Sequence, residues 1–303
     1  MDAVPAAPGP GGYALLDFGD GRKLERFGPL ILDRPAPAAD GVPRADPGAW
    51  AGATARYERG PAGTGSWTGP GLPAEPWTVA LDSLVVELRL ASSGGVGLFP
   101  EQLGRVRWLE DAVVGRRGPR NGVGEPPGGE GAPAVLNLFA HTGLLTLVAA
   151  RAGARVAHVD SSRPAVAWAR RNAGRSGLDR APIRWLVDDA LAFARREARR
   201  GRRYDAVILD PPTYGHGPGG GSWRLETGIG DLLAVLAELT AGRPDFLLLT
   251  AHAAGLGRDE LVAPVAAAFG VEATRTAEVE ALTLVAVDGR RLPAGLALCW
   301  RLP

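Results

Sequence analysis

The chain has 303 residues, room for about two domains and for a core that stands without cross-links. Hydrophobic residues make up 46% and charged residues 22%, a globular balance rather than a disordered or fibrous one. Thirty-four Lys and Arg face 33 Asp and Glu, so the total of +1 shows no global attraction to polyanions. The single cysteine, Cys299, excludes a disulfide framework and a cysteine-based zinc site within one chain. No run of ~18 apolar residues and no apolar stretch before a small-residue cleavage site is present, which predicts neither a membrane span nor secretion, and hence a cytoplasmic protein. Lys23 is the only lysine, so arginine carries almost all the positive charge.

Residues 1–12 are rich in Pro, Gly and Ala and read as a disordered tail. From Tyr13 an apolar run leads to Gly19-Asp20-Gly21 and then Leu24, Phe27, Leu30 and Ile31, a hairpin signature. A second hairpin is expected where Trp77–Leu81 and Leu84–Leu90 flank Asp82-Ser83. Residues 13–114 thus read as a small β-rich domain. Residues 115–133 are dominated by Gly and Pro and read as a linker or loop, since neither helix nor strand propagates there. Residues 134–303 change character. Strands are predicted at 134–139, 155–160, 183–187, 204–210 and 245–250, alternating with helices at 144–152, 163–176, 190–200, 231–241 and 259–269. That alternation specifies a parallel, doubly wound α/β sheet. Further strands near 272–280, 282–287 and 296–301, with a turn at Asp288-Gly289, would place antiparallel strands at one edge.

In such a sheet ligands bind outside the carboxyl ends of the strands. After the first of these strands comes Asn137-Leu-Phe-Ala-His-Thr-Gly143, with one glycine where a dinucleotide fingerprint needs three. Asp160-Ser161 ends the second strand; a carboxylate there suits the two hydroxyls of a ribose, and Ser162 is the better cap for the helix that follows. Asp188-Asp189-Ala190 ends the third, where one carboxylate can cap a helix and the other can accept from an exocyclic amine. Asp210-Pro-Pro-Thr-Tyr214-Gly ends the fourth. Two prolines hold the chain extended, leave carbonyls unpaired, and deliver an aromatic ring able to stack on a planar acceptor.

Asn-Leu-Phe-x-x-Thr-Gly, His-Val-Asp-Ser-Ser, Asp-Asp-Ala-Leu-x-Phe and Leu-Asp-Pro-Pro-Thr-Tyr-Gly, in that order, resemble the class I S-adenosylmethionine-dependent methyltransferases. More closely, they are similar to the bacterial family related to 23S rRNA cytosine-5 methyltransferases. The match covers about residues 134–252, with a weaker extension to Gly97–Gln102, and the N-terminal part resembles a subgroup without the PUA RNA-binding module. The resemblance implies a Rossmann-like sheet, S-adenosylmethionine as cofactor, and RNA, ribosomal RNA above all, as substrate. It further implies that Asn137, Phe139, Thr142, Gly143 and Gln102 line the methionine end. Asp160 and Ser161 would take the ribose, and Asp189 and Ala190 the adenine. Asp210, Pro211 and Tyr214 would border the acceptor as catalytic residues, with Asp210 also touching the cofactor.

One departure bears on the chemistry. The cytosine-5 members carry a nucleophilic cysteine after the fifth strand, where this chain reads Thr250-Ala-His-Ala-Ala254. Cys299 sits in an apolar final strand, a packing position. Methyl transfer to nitrogen or oxygen needs no covalent adduct, and positioning of the two reactants supplies most of its catalysis. His158 reads as structural. His141, His216 and His252 fall at strand ends, His216 and His252 as candidate proton acceptors, and no metal is expected. The arginine clusters at 170–175 and 195–203 fit either a solvated helix face or phosphate contacts, and Gly215–Trp223 reads as a lid over the acceptor. Two other readings stay open: a small-molecule or protein methyltransferase, and a non-catalytic cofactor-binding protein associated with RNA.

Overall fold

The computed structural model describes residues 12–60, 64–115, 131–216, 222–252 and 257–302. The expected tail up to residue 11, residues 116–130 of the expected linker and residues 217–221 of the expected lid lie outside that set. The chain forms two compact units, Met1–Glu101 with Thr283–Ala294, and Gln102–Leu282 with Gly295–Pro303.

The first unit is built on a five-stranded sheet in the order β1 (Tyr13–Gly19), β2 (Arg22–Phe27), β3 (Leu30–Pro35), β4 (Ala55–Arg59) and β5 (Gly65–Thr68). All neighbours pair antiparallel except β3 and β4. Asp20 (φ 52°) and Gly21 (φ 71°) make the two-residue turn, the left-handed pair that suits the twist of a hairpin. β6 (Trp77–Leu81) and β7 (Leu84–Leu88) form the second expected hairpin about Asp82, also at positive φ. The sequence reading missed β4 and β5, which are short, polar on alternate residues and broken by glycine, so their periodic signal is faint.

Two buried carboxylates organise this unit. Asp17 accepts hydrogen bonds from the indole Nε1 of Trp50 (2.8 Å), from the backbone N–H of Ala45 and Asp46, and from Arg290. Glu25 is fully buried and accepts from Tyr13 Oη (3.0 Å) and Arg34 Nε (2.8 Å), with Lys23 Nζ at 3.1 Å. Burial pushes the Glu25 carboxyl up, but Arg34 and then Lys23 outweigh it and hold it below the ordinary range. A depressed carboxyl contributes stability that is complete above its unfolded pKa of about 4.3 and is lost as pH falls. Glu25→Ala should therefore cost about 3 kcal/mol at pH 7, since it strands the Arg34 charge, and the cost should shrink below about pH 4. Urea titrations at both pH values check this.

The second unit holds most of the seven-stranded sheet. Its strands are β8 (Ala134–Leu138), β9 (Arg155–Asp160), β10 (Ile183–Val187), β11 (Ala206–Leu209), β14 (Phe246–Ala251), β15 (Glu278–Val285) and β16 (Arg291–Arg301), in the order β10-β9-β8-β11-β14-β16-β15, while β12 (Tyr214–His216) and β13 (Ser222–Arg224) pair as a separate antiparallel ribbon. The first five run parallel and β16 runs antiparallel to β14. The expected Rossmann-like sheet with an antiparallel edge is what the chain forms. β11 and β14 are buried at every position, as central parallel strands covered on both faces must be. Helices α1 (Val106–Val114), α2 (Leu144–Arg151), α3 (Arg163–Arg175), α4 (Ala190–Arg199), α5 (Leu225–Leu239) and α6 (Arg258–Phe269) cover the sheet; α4, α5 and α6 pack in sequence, and α1 packs on α2.

Three differences from the sequence reading have physical causes. The strand expected at 272–280 is in its first half a helical turn, α7 (Val271–Arg275), set off by Gly270 at φ 88°, and β15 starts only at Glu278. α1 was not foreseen; its N-cap Arg105 offers no capping hydrogen bond, so no start signal marks it. α5 begins at Leu225 rather than Asp231. Gly228 and Gly230 look like a break, yet a Cβ at Gly228 would lie 2.8 Å from the Trp223 ring, so glycine there admits the indole.

Candidate functional site

Order reverses between β8 and β11, so a crevice opens at the carboxyl ends of these strands. A small, open pocket lies there, walled by Phe139, Asp160, Ser161, Asp189, Pro212 and Trp223 among others.

The loop after β8 is held in an unusual shape. Phe139 (φ 56°), His141 (φ 46°) and Gly143 (φ 90°) all adopt the left-handed region, two of them without the freedom of glycine. Asp160 over-determines it: one carboxylate oxygen accepts from the His141 N–H (2.8 Å) and the other from the Ser162 N–H (2.8 Å). Ser162 caps α3, accepting from the Ala165 N–H, as expected. Asp160 is thus less free than its place at the strand end suggested, although each oxygen retains a second lone pair. Gly143 serves packing, because a Cβ there would lie 2.9 Å from Ala169 Cβ.

Asn137 and Thr142 stand behind the cleft wall rather than on it. The Asn137 amide donates to Thr146 Oγ1 (2.8 Å), which lies 2.9 Å from His158 Nδ1. The Thr142 carbonyl accepts from Asn172 Nδ2 (2.9 Å). His158 is fully buried, the structural role expected of it, and burial followed by the nearby His141 pushes its pKa down to about 3. Its depressed value means stability present above the unfolded pKa of about 6.5 and lost as pH falls toward 3. From this group alone, unfolding should become easier by about 2 kcal/mol between pH 7 and pH 5. His158→Gln should remove that component of the slope in denaturant titrations.

The third strand end divides its two carboxylates. Asp189 caps α4 through the Ala192 N–H (2.8 Å) and also lines the cleft. Asp188 pairs with Arg196. Phe139 packs on Trp223 with ring centroids 4.8 Å apart, and Trp223 Nε1 donates to the Pro212 carbonyl (2.8 Å). Pro212, not the buried Pro211, therefore reaches the wall, and its carbonyl is already used. The Trp223 indole is tied to Pro212 and walls the cleft at once. Tyr214 is 52% exposed, outside the lining, with the Arg224 guanidinium 5.8 Å from its ring centre.

Beside the cleft lies a connected polar chain. Gln102 Nε2 donates to Thr250 Oγ1 (3.0 Å), Thr250 Oγ1 donates to Asp210 Oδ1 (2.6 Å), and His252 Nε2 lies 2.9 Å from the same oxygen. Gln102 is buried and touches these side chains rather than the cleft lining. The His216 side chain and residues 253–256 lie outside the described residues. Cys299 is 3% exposed in β16, opposite Leu248, and burial pushes its thiol up, so it lacks the accessibility and the thiolate character of a nucleophile. Among the described residues no group of three His, Cys, Asp or Glu has metal-holding geometry, and no helix is long and apolar enough to cross a membrane.

A doubly wound sheet with a crevice at its switch point, a single glycine in the loop after β8 and an Asp-Pro-Pro segment beside it has the features of a class I methyltransferase type of site. Comparison with known proteins gives the family. The chain is 32% identical to the SAM-dependent methyltransferase from Agrobacterium tumefaciens, superposing with a TM-score of 0.83 over 99% of this chain and 94% of that one. The chain belongs to the S-adenosylmethionine-dependent methyltransferases. It is also 31% identical over 170 residues to ribosomal RNA large subunit methyltransferase I of Aeromonas salmonicida, covering 54% of this chain and 42% of that protein. A third relative, ribosomal RNA large subunit methyltransferase K of Neisseria meningitidis serogroup B, is 34% identical over 99 residues, covering 32% of this chain and 27% of that protein. The chain thus spans less than half the length of these two curated relatives. No family model matches it.

Proposed function

We propose that this chain transfers a methyl group from S-adenosylmethionine to RNA, with ribosomal RNA as the substrate class and the cytoplasm as its place of action. The observation that carries the reading is the crevice at the β8–β11 switch point, with Asp160 and Asp189 on its wall. The residues present fit the cofactor. Asp160 has lone pairs for the ribose hydroxyls while it fixes the loop beneath them, and Ser161 lies alongside. Asp189 keeps Oδ2 for the adenine amine, because Oδ1 is committed to the helix cap, and the Ala190 N–H adjoins it. Phe139 and Trp223 supply apolar wall. Asn137, Thr142 and Gly143 act from behind, by holding the loop in shape.

When bound, the cofactor supplies a sulfonium-activated methyl group. The chain's own residues position the acceptor. Asp210, fixed by Thr250 and His252, faces it with a carboxylate whose direction is set, while Gln102 supports Thr250 from the buried side. Pro211 keeps Asp210 at the strand end, and Tyr214 offers an exposed ring for stacking on a base. With Cys299 the only cysteine and buried, the acceptor is a nitrogen or oxygen that brings its own lone pair. RNA is favoured because both curated relatives carry ribosomal RNA in their names and one aligns over more than half of this chain. The test is to incubate the protein with methyl-labelled cofactor and fractionated cell extract. Label in RNA is expected; label confined to protein or small molecules, or none at all, overturns the reading.

A further inference from the structure

The net charge of +1 conceals a strong asymmetry. Residues 151–203 hold 14 arginines against five carboxylates, an excess of nine, so the rest of the chain carries a net charge of −8. A coding preference for arginine over lysine explains the residue type but not this concentration.

The fold gathers much of that charge at one place. Strands β8, β9, β10 and β11 point their carboxyl ends to the cleft, so their amino ends form the opposite edge. α3 and α4 each return from the cleft side to that edge. The second half of α3 brings Arg170 and Arg175, the connection to β10 brings Arg180, and the end of α4 with the residues after it brings Arg199, Arg202 and Arg203. All six are exposed. The carboxylates nearby are few or spoken for. Glu197 is buried and shared by Arg184, Arg200 and the Tyr204 hydroxyl, and Asp205 accepts from the Ala134 N–H. Arg170, Arg180, Arg199, Arg202 and Arg203 have no carboxylate partner among the described residues. A helix C-terminus favours a cation or two in its last turn. That does not account for Arg180, Arg202 and Arg203, which lie beyond the helices.

We infer that this arginine-rich amino edge of the sheet, built from the ends of α3 and α4 and the entry to β10, is a docking surface for the phosphate backbone of a folded RNA. Guanidinium groups match phosphate oxygens in two-pronged geometry, and several spread over an edge suit a backbone rather than one small anion. A membrane surface is disfavoured, because an interfacial patch needs apolar anchors among its cations. Within residues 151–203 the only large exposed hydrophobic residue is Val187, at the carboxyl end of β10. The inference rests on the RNA reading above. It adds that substrate is held at two places, since a five-residue strand separates edge from cleft by about 16 Å. A single nucleotide cannot bridge that distance, whereas a folded RNA can.

The experiment compares the wild-type chain with Arg199→Gln/Arg202→Gln/Arg203→Gln and with a control triple elsewhere, Arg59→Gln/Arg275→Gln/Arg291→Gln. Binding to a folded ribosomal RNA fragment is measured across a salt series, with cofactor affinity by calorimetry and thermal unfolding alongside. The amino-edge triple should bind about tenfold more weakly or worse near 0.15 M salt, and its log–log salt slope should be shallower by about two to three. Its cofactor affinity and unfolding temperature should match wild type. Equal affinity and slope, or an effect no larger than the control's, overturns the proposal, as does wild-type binding to anionic phosphatidylglycerol vesicles without binding to RNA. If the triple loses RNA binding but labelled methyl never reaches RNA with the wild type, the docking surface stands and the RNA-methylation reading falls. If wild type methylates RNA and the triple does so with unchanged affinity, the reverse holds.

Discussion

Asp210→Ala should lower methyl transfer by about 10²–10³-fold while cofactor affinity stays within about threefold. The carboxylate holds two donors at once, Thr250 Oγ1 at 2.6 Å and His252 Nε2 at 2.9 Å. Removing it frees both side chains and the acceptor they help to place, and a displacement of about 1 Å at a reacting centre costs about 10²-fold. Asp210→Asn should fall between, since its carbonyl oxygen still accepts from Thr250 while the negative charge is gone. Thr250→Val removes the hydroxyl's bond to Asp210 together with the link to Gln102, leaves His252 on the carboxylate, and should cost about tenfold or less. Single-turnover rates at saturating cofactor separate these cases. An Asp210→Ala protein as fast as wild type would remove this residue from the acceptor site.

Asp160→Ala should weaken cofactor binding by about 10²-fold, nearly 3 kcal/mol. Two charge-assisted hydrogen bonds, to the His141 and Ser162 N–H groups, are lost together with the proposed ribose contacts. The loop beneath holds Phe139 and His141 at positive φ, a conformation that persists only while its surroundings dictate it. Asp160→Asn should be milder, keeping an acceptor for one of the two. Calorimetric titration with S-adenosylhomocysteine measures the effect, and an affinity equal to wild type would sink the ribose assignment.

Legibility from sequence followed the strength of the local signal. The parallel strands and their helices could be read because central strands such as Val207-Ile-Leu are continuously apolar and because Ser162 and Asp189 mark helix starts. The C-terminal hairpin could be read from Asp288-Gly289. At the site, Asp160 could be read from its place after a strand, whereas Phe139 and Asp189 came only through the family resemblance. Asn137 and Thr142 were expected on the wall and stand behind it, because spacing along a loop says nothing of which way a side chain turns. The left-handed Phe139 and His141 leave no trace in composition, since glycine is the usual marker and is absent there. Trp223's double duty depends on Gly228, five residues on in a helix that sequence reading began too late. Nor did the whole-chain charge disclose the basic edge, which only segmental counting and the return direction of α3 and α4 bring together.

The most direct test of the whole account is a crystal structure with S-adenosylhomocysteine bound. Its adenosine is expected at the ends of β8, β9 and β10, with ribose hydroxyls on Asp160, adenine between Asp189 and the aromatic wall, and the sulfur directed toward Asp210. Density for the nucleoside at another place, or a cleft closed by Phe139 and Trp223 with no ligand in it at saturating concentration, would contradict it.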